Sequence, residues 1–515
     1  MIQLEALSAV RPSAYNPRVT DPARLQLIEL SLRLLGFLLP IYADETGEIS
    51  SGHQRHLVAE RMGLTLIPVE RIGRKMTLDG RRALNVMFNR ATNDMGAGDA
   101  PAELTRRWED RQNLVALAAS LPHVDPTNPR EMYPCLYPEM RSVKELARVN
   151  TGRWNGHARN LNRQLARKGI NMPVIVRPDG YVLNGIGRLE SAAEDGVEQL
   201  PVVVVPDARA ELAEACLNLI SMDFDLETRY ADFLRYSSFR RARVVVPGND
   251  LGYGFTMFAF GDEHPSKFDM VANPSLRMTW ERVHGSSVMD FGAGRLKETH
   301  NLRALGFRVT AFEPFYCPDG DTISREETLA LAREFLRDVA DGVEWDSIFL
   351  SAVLNSVPFY QDRVHILRIV QACCTARTRG VFVTANSVHH AQWEGIVGGE
   401  ALLSENMARS GSFIVSYEPG TKMGDLYSGK PKVQKFHSAE EFAELLGLFW
   451  EDVQVGYYMR GVTKGIGRRA KPVNAAELRT ALEFEFNMLY PDGERLGLHG
   501  EAVMAFEKRL GVPLS

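Results

Sequence analysis

Asp290, Gly292, Gly294 and Glu313 are the residues whose types and spacing could do the most chemistry in this chain. The stretch S-S-V-M-D-F-G-A-G-R-L-K-E-T-H-N-L-R-A-L-G-F-R-V-T-A-F-E-P, residues 286–314, runs through Val288 and Met289 into Asp290 and a glycine turn. A helix-compatible segment, Lys297 to Leu305, follows, and a β-rich run from Phe307 to Phe312 closes on Glu313. The pattern predicts a strand, a tight turn, a helix and a second strand ending in an acid. In an open parallel sheet, ligands sit beyond the carboxyl ends of the strands, where glycines let backbone approach closely and an acid can accept both hydroxyls of a ribose. A dinucleotide site wants G-x-G-x-x-G with a pyrophosphate at the helix start. Here the turn is Gly292-Ala293-Gly294-Arg295-Leu296-Lys297, with no third glycine.

With Glu313 standing 23 residues after Asp290, this stretch resembles the class I S-adenosylmethionine-dependent methyltransferases. Two later stretches extend the resemblance. Trp345 to Pro358 is similar to the family's fourth-strand motif and contains Ser351 and Val353, and Arg379-Gly380-Val381-Phe382-Val383-Thr384 is similar to its fifth strand. The resemblance implies S-adenosylmethionine as cofactor, held by Asp290, Gly292, Gly294, Glu313, Asp338, Ser351 and Val353. Leu296 stands where many family members have a third glycine. Enzymes that methylate exocyclic base amines usually carry D-P-P-Y or N-P-P-F at the fourth strand, to hold a flipped base. This chain has Leu354-Asn355-Ser356-Val357-Pro358 there, and Asn273-Pro274-Ser275-Leu276 is no substitute, so the methylated atom is not named by the motif. An amine acceptor needs help losing a proton. His389, His390 and Tyr360 are the catalytic candidates, with at most one of the adjacent histidines facing the site.

The composition is that of an ordinary globular protein. The chain has 515 residues, 45% hydrophobic and 24% charged, and its formal charge of −5 supplies no global basic field for nucleic acid. Local patches at Arg159 to Lys168, Arg240 to Arg243 and Lys464 to Lys471 are the candidates for such contact. Five cysteines without C-x-x-C spacing predict neither a zinc site nor a disulfide framework. The start M-I-Q-L-E-A-L lacks the features of a signal peptide, and no apolar run approaches the length of a membrane span. A cytoplasmic protein without metal or membrane partner is expected.

The first third carries a second set of landmarks. Tyr15-Asn16-Pro17-Arg18 precedes a helix candidate from Ala23 to Leu35, a strand-like Pro40-Ile41-Tyr42-Ala43, and Gly52-His53-Gln54-Arg55 opening another helix. Leu84 to Ala91, with Asn89 and Arg90, trails behind. These pieces resemble the ParB/sulfiredoxin-type N-terminal domain. The resemblance implies nucleotide or phosphate binding at Gly52, His53, Arg55, Asn89 and Arg90, with CTP or ATP as the triphosphate. The physics agrees, because free N–H groups at a helix start and a guanidinium both favour an anion. The alternative reading has Arg55 capping the sheet of a domain that binds no nucleotide. His53 and Gln54 replace the acid and second arginine of the partitioning proteins' G-E-R-R, which argues against triphosphate hydrolysis.

The same landmarks return. From Gly36 the intervals to Pro40, Gly47, Gly52, Arg55, Gly63 and Pro68 are 4, 7, 5, 3, 8 and 5, and from Gly169 to Pro173, Gly180, Gly185, Arg188, Gly196 and Pro201 they are identical. Such spacing marks a duplicated unit. The second copy keeps Gly185 and Arg188 but has Met222-Asp223 where the first has Asn89-Arg90.

The predicted architecture is therefore multidomain, α/β and α+β: ParB-like module 1 over 1–101, a helical connector over 102–148, a degenerate module 2 over 149–243, a Rossmann-like doubly wound methyltransferase domain over 244–472, and a helical extension over 473–515. The aromatic stretch from Phe255 to Trp280 is placed as a substrate lid, and Val453 to Met459 as the last strand of the sheet. Together these readings point to a methyltransferase recruited to DNA, or acting on a nucleotide, in phage-type DNA modification, and they leave a homo-oligomer open. Two other classes remain: a nucleotide-dependent switch or phosphotransferase driven by the ParB-like module, and a DNA-binding phage protein without turnover.

Overall fold

The structure, a computed structural model, describes residues 2–13, 22–73, 118–150, 172–221, 251–259, 268–319, 322–391, 420–424, 432–490 and 492–514, and single residues or pairs between them. The chain divides into two compact units, one built on Met1–Tyr230 and one that takes up most of the remainder from Ala231 to Ser515.

The first unit is a repeat in its topology as well as in its spacing. β1 (Ile2–Ala6), α1 (Pro22–Leu35), β2 (Ile41–Asp44), β3 (Ile49–Ser51), α2 (His53–Arg61) and β4 (Leu66–Ile72) form a sheet of order β1-β4-β2-β3. β5 (Glu139–Ser142), α3 (Val143–Val149), β6 (Val174–Val176), β7 (Val182–Asn184), α4 (Ile186–Glu194) and β8 (Gln199–Val204) form a sheet of order β5-β8-β6-β7. In each, the first strand runs antiparallel to the last, and the second and last are parallel. Each hairpin has its register shift at the matching place, between Tyr42 and Ala43 in one and between Ile175 and Val176 in the other.

This moves a boundary. β5 pairs along β8 as β1 pairs along β4, so the second sheet begins at Glu139 and residues 139–148 are not connector. The sequence hides it because β5 reads Glu-Met-Arg-Ser, an exposed to half-buried edge strand without apolar alternation. Nor are the copies separate domains. Ile41, Ala43, Ile67 and Val69 of the first sheet share one core with Ile175, Val203 and Val205 of the second. Arg209, on α5 (Asp207–Ser221), ties the two by donating to the carbonyls of Leu34 and Pro122.

The second unit is built on a mixed sheet. β9 (Ser287–Phe291), β10 (Arg308–Phe312), β11 (Ser347–Ser351) and β12 (Gly380–Ser387) are parallel, in the order β10-β9-β11-β12. The helices α6 (Pro274–His284), α7 (Lys297–Ala304), α8 (Arg325–Ala340) and α9 (Tyr360–Cys373) precede or connect them. β9 leads to β10 on one side, and β11 lies on the other, so the order reverses between β9 and β11. That is where an open α/β sheet leaves a crevice at its carboxyl edge. The end of β12 pairs with β14 (Lys432–His437), which is antiparallel to β13 (Thr421–Gly424). α10 (Ala439–Gly447) follows, capped by Ser438 Oγ accepting from the Glu441 amide.

Two expectations are corrected here. The strand expected at Val453 to Met459 is β15 (Trp450–Tyr458), but a further strand, β16 (Val462–Ala470), lies antiparallel between it and β12. β16 contains most of the supposed basic patch Lys464 to Lys471, where Arg468 and Arg469 pair with Asp452 and Glu451 across the ladder at 3.8 and 3.2 Å. The aromatic stretch expected as a lid is mostly core: Phe255 stacks on Phe349 at 4.2 Å, and Phe268 and Trp280 are fully buried. Burying such large rings against the sheet is worth more than leaving them as a mobile cover. Beyond β16 lie two helices, α11 (Ala475–Glu485) and α12 (His499–Leu510).

Candidate functional site

The glycine turn and Glu313 meet at the carboxyl edge of the sheet. Gly292 and Ala293 donate their amides to the Phe312 carbonyl at 2.7 and 3.0 Å, binding the end of β9 to the end of β10. The Gly294 amide donates to Glu313 Oε2 at 2.7 Å, and the Phe315 amide donates to Oε1 at 3.0 Å. Glu313 is 4% exposed. A carboxylate is thus fixed between the glycine turn and the following loop. Gly292 and Gly294 both have positive φ, 78° and 58°. A Cβ on Gly292 would fall 2.4 Å from a methyl of Val353, so glycine there is required by conformation and by space.

The other proposed cofactor residues divide. Asp290 is buried and accepts from Thr299 Oγ1 on α7 at 2.8 Å, locking helix to strand. Val353 packs on Gly292. Ser351 ends β11 beneath the turn Tyr253–Thr256, where a Cβ on Gly254 would overlap its hydroxyl. Asp338 is displaced from the crevice. It lies on the last turn of α8, accepts a hydrogen bond from Thr310 Oγ1 and stands 3.7 Å from Arg308, at the amino end of β10. The reason is the helix itself, which returns the chain from the carboxyl edge to the amino edge before β11 begins. Leu296, at the usual place of a third glycine, has φ 59°, the left-handed conformation that favours glycine.

Beyond β11 and β12 the structure assembles a polar cluster that the sequence only half revealed. Asn355 Nδ2 and Asn386 Nδ2 both donate to Gln434 Oε1 at 2.9 Å, and Gln434 Nε2 donates to the Val433 carbonyl at 2.8 Å. Asn355 sits in the strand-end run Leu354 to Pro358, whereas no signal in the sequence marks Gln434, which reaches the site by the pairing of β14 with β12. Fixed amides of this kind can recognise the donor and acceptor edge of a polar substrate.

The three catalytic candidates have different surroundings. His390 packs against Phe436, with ring centroids 5.8 Å apart, and burial together with Lys422 pushes its imidazole below the ordinary range. His389 turns elsewhere, its ring edge-on to Tyr457 at 4.8 Å and Nδ1 3.8 Å from Glu394. Tyr360 is 49% exposed at the first position of α9, with the Arg363 guanidinium over its ring.

In the first unit the two G-x-x-R turns are built alike. Gly52 and Gly185 have φ 100° and 103° at the starts of α2 and α4. Arg55 Nη2 donates to the Pro40 carbonyl at 2.9 Å, and Arg188 Nη1 donates to the Pro173 carbonyl at 2.8 Å. Arg188 is held further by Asn184 Oδ1 at 2.7 Å. His53 is buried, with Nε2 3.3 Å from Ser13 Oγ. In both turns the guanidinium donates to the carbonyl of the proline that precedes a strand, β2 in one and β6 in the other. Asn89 and Arg90 lie outside the described residues. Asn85, which the sequence did not single out, donates to the Ser50 carbonyl at 2.7 Å.

The folds and sites thus define a chain with a duplicated α+β unit and an α/β unit whose crevice holds a glycine turn against a carboxylate. Over 63 residues, 12% of this chain and 72% of the relative, it is 32% identical to the ParB-like nuclease domain-containing protein YnaK of Escherichia coli K12. Through that stretch the chain belongs to the ParB-like nuclease domain-containing family. No family model matches the chain. Among solved structures, the mitomycin 7-O-methyltransferase MmcR is 17% identical and is covered over 95% of its length by 72% of this chain, with a TM-score of 0.21, too low to inform the fold. No helix among the described residues is long and apolar enough to cross a membrane.

Proposed function

We propose that the second unit is an S-adenosylmethionine-dependent methyltransferase and that the ParB-like unit recruits it to nucleic acid, with DNA the acceptor and DNA modification, of the kind found in phage, the setting. The observation that carries the first part is the Glu313 carboxylate at the end of β10, hydrogen-bonded to Gly294 in the glycine turn at the point where strand order reverses. An acid so placed suits the two hydroxyls of a ribose. When bound, S-adenosylmethionine supplies a methyl group on a sulfonium, ready for direct displacement. Gly292 and Gly294 would let the nucleoside approach the backbone, and Glu313 would hold its ribose. Asn355, Asn386 and Gln434 would orient the acceptor, and His390, neutral at physiological pH, could take its proton.

The recruiting role rests on the family of the first unit and on its construction as one body with a shared core. Both arginines of its G-x-x-R turns are turned onto backbone carbonyls, which favours a docking role over triphosphate chemistry.

The test is calorimetric binding of S-adenosylmethionine to the full chain and to Glu313→Ala, followed by transfer of labelled methyl groups to duplex DNA, single-stranded DNA and nucleotides. Binding by the wild type that drops at least tenfold in Glu313→Ala supports the cofactor reading. No binding, or equal binding by both proteins, overturns it. Label entering nucleotides but not DNA would overturn the recruiting role alone.

A further inference from the structure

Gln434 has both ends of its side-chain amide committed. Its Nε2 donates to the Val433 carbonyl at 2.8 Å and to Ser356 Oγ at 3.4 Å, and its Oε1 accepts from Asn355 Nδ2 and Asn386 Nδ2, each at 2.9 Å. A backbone carbonyl can only accept, so the Val433 contact fixes which end of the Gln434 amide is nitrogen. Its oxygen then faces the two asparagines, and each asparagine must turn its NH2 group towards that oxygen. One glutamine thus sets the orientation of two further amides and leaves both of their carbonyl oxygens to be offered elsewhere.

Asn355 Oδ1 is buried and accepts no hydrogen bond among the described residues. An amide oxygen withdrawn from water without a donor is costly, so the place suits a ligand that brings one. Val353, which packs on Gly292 of the glycine turn, stands two residues before Asn355, and Asn386 lies near the end of β12. The amides therefore sit at the carboxyl ends of β11 and β12, beside the turn. Asn355 and Gln434 are buried, whereas Ser356, Asn386, His390 and Trp393 around them are half-buried, so a polar floor lies under a more open rim. Phe436, two residues along β14 from Gln434 and so on the same face of the strand, stacks with Trp393 at 5.4 Å. Lys422, opposite Gln434 in the pairing of β13 with β14, holds its ammonium over the Phe436 ring at 5.8 Å. A protonated alkyl amine would meet a like charge there, whereas an amino group on an aromatic ring is uncharged near neutral pH.

We propose that the methyl acceptor at this site is an amino group borne by a flat ring, its two N–H bonds taken by Asn355 Oδ1 and Asn386 Oδ1, and that Gln434 is the positioning residue that keeps both oxygens turned out for it. This rests on the methyltransferase reading above. A ring with a carbonyl in place of the amino group brings an acceptor to two acceptors and is rejected, because the buried amide oxygen is then left unpaired. In the transfer the lone pair of the amino nitrogen forms the N–C bond to the methyl group while the C–S bond breaks, its electron pair staying on sulfur in the thioether product. The nitrogen then gives one proton to His390, which passes it to solvent.

The experiment gives the full chain methyl-labelled S-adenosylmethionine with adenine or cytosine, or with their deaminated counterparts hypoxanthine and uracil, each as a single-stranded oligonucleotide and as a mononucleotide. It compares wild type, Gln434→Met and Asn386→Ala, with cofactor binding measured calorimetrically for each. The wild type is expected to label an amino-bearing ring at least about tenfold faster than its deaminated counterpart. Both variants are expected to lose most of that preference while still binding S-adenosylmethionine. Equal labelling of amino-bearing and deaminated rings, or labelling of neither, by a wild type that binds the cofactor overturns this inference and leaves the cofactor reading standing. A wild type that binds no cofactor overturns both. An undiminished preference in Gln434→Met overturns the positioning role. Should that variant not fold, Asn386→Ala, at a half-buried position, decides in its place, and an undiminished preference there overturns the inference by itself.

Discussion

Arg55 and Arg188 occupy equivalent places in the two copies of the repeat, and each donates to the carbonyl of the proline 15 residues before it. They also converge on one group. The phenol of Tyr42, buried in the first sheet, is pushed up by desolvation and by Glu70, and both guanidinium groups oppose that shift. A charged donor to a backbone carbonyl is worth about 1.5–3 kcal/mol. Arg55→Ala and Arg188→Ala are each expected to lower the stability of the first unit by about 2 kcal/mol, read as a shift in denaturant midpoint. An unchanged midpoint in either variant would remove the capping role.

The pH dependence of the second unit follows from two buried histidines. His284 is lowered to about 3 by burial and by Arg379, and His437 is held well below its ordinary range by burial, Arg363 and Lys435. Both are neutral in the folded state, whereas the unfolded chain protonates them below about 6.5. The unfolded state then binds more protons, so stability is full above about 6.5 and is lost as pH falls towards the folded values, by up to about 1.4 kcal/mol per pH unit for each histidine. Glu485 has the opposite sign. Its raised folded value gives stability that is full below about 4.5 and lost as pH rises through about 8. Thermal unfolding from pH 4 to pH 9 should show His284→Phe with a shallower acid limb and Glu485→Gln with a shallower alkaline limb.

What was legible in the sequence was whatever rested on local backbone demands. Glycines at Gly52, Gly185 and Gly292 are needed for positive φ, and their spacing exposed both the repeat and the strand-turn-helix around Glu313. What was not legible depended on distant pairing. β5 carries no apolar alternation, and β16 carries the charged pair Arg468 and Arg469 near its end, because one is an edge strand and the other pairs those charges across the ladder. Gln434 and Phe486 reach the strand ends around the candidate site only through a strand pairing and a C-terminal segment that no local pattern announces. Asp338 was misplaced for a related reason: a residue's distance along the chain does not say at which end of a helix the chain will have arrived.

Gly292 is the position where the turn tolerates least. A Cβ would stand 2.4 Å from Val353 Cγ2, and φ 78° is unfavourable for any L side chain. Gly292→Ala should destabilise the second unit by at least about 2 kcal/mol, combining the left-handed penalty with a steric clash. Adding Val353→Ala removes the clash but not the backbone penalty. The double variant should therefore recover part of the loss in a thermal melt, and a double variant no more stable than Gly292→Ala would mean that the close approach to Val353 is unimportant.

Leu296 sets two effects of opposite sign against one another. Its φ of 59° costs roughly 1–2 kcal/mol that glycine would avoid. Its side chain, 7% exposed, packs with Ala293, Ala311 and Leu331 in a small core beside the turn. Removing a buried leucine side chain costs about 2–5 kcal/mol, so packing outweighs strain and Leu296→Gly is expected to be less stable by about 1–3 kcal/mol. The glycine also frees the backbone of the turn that approaches the ligand. If Leu296 narrows that approach, Leu296→Gly should bind S-adenosylmethionine more tightly while melting earlier, and calorimetry on the variant separates the two. A variant both more stable and no tighter in binding would show that the leucine is held there by neither packing nor access.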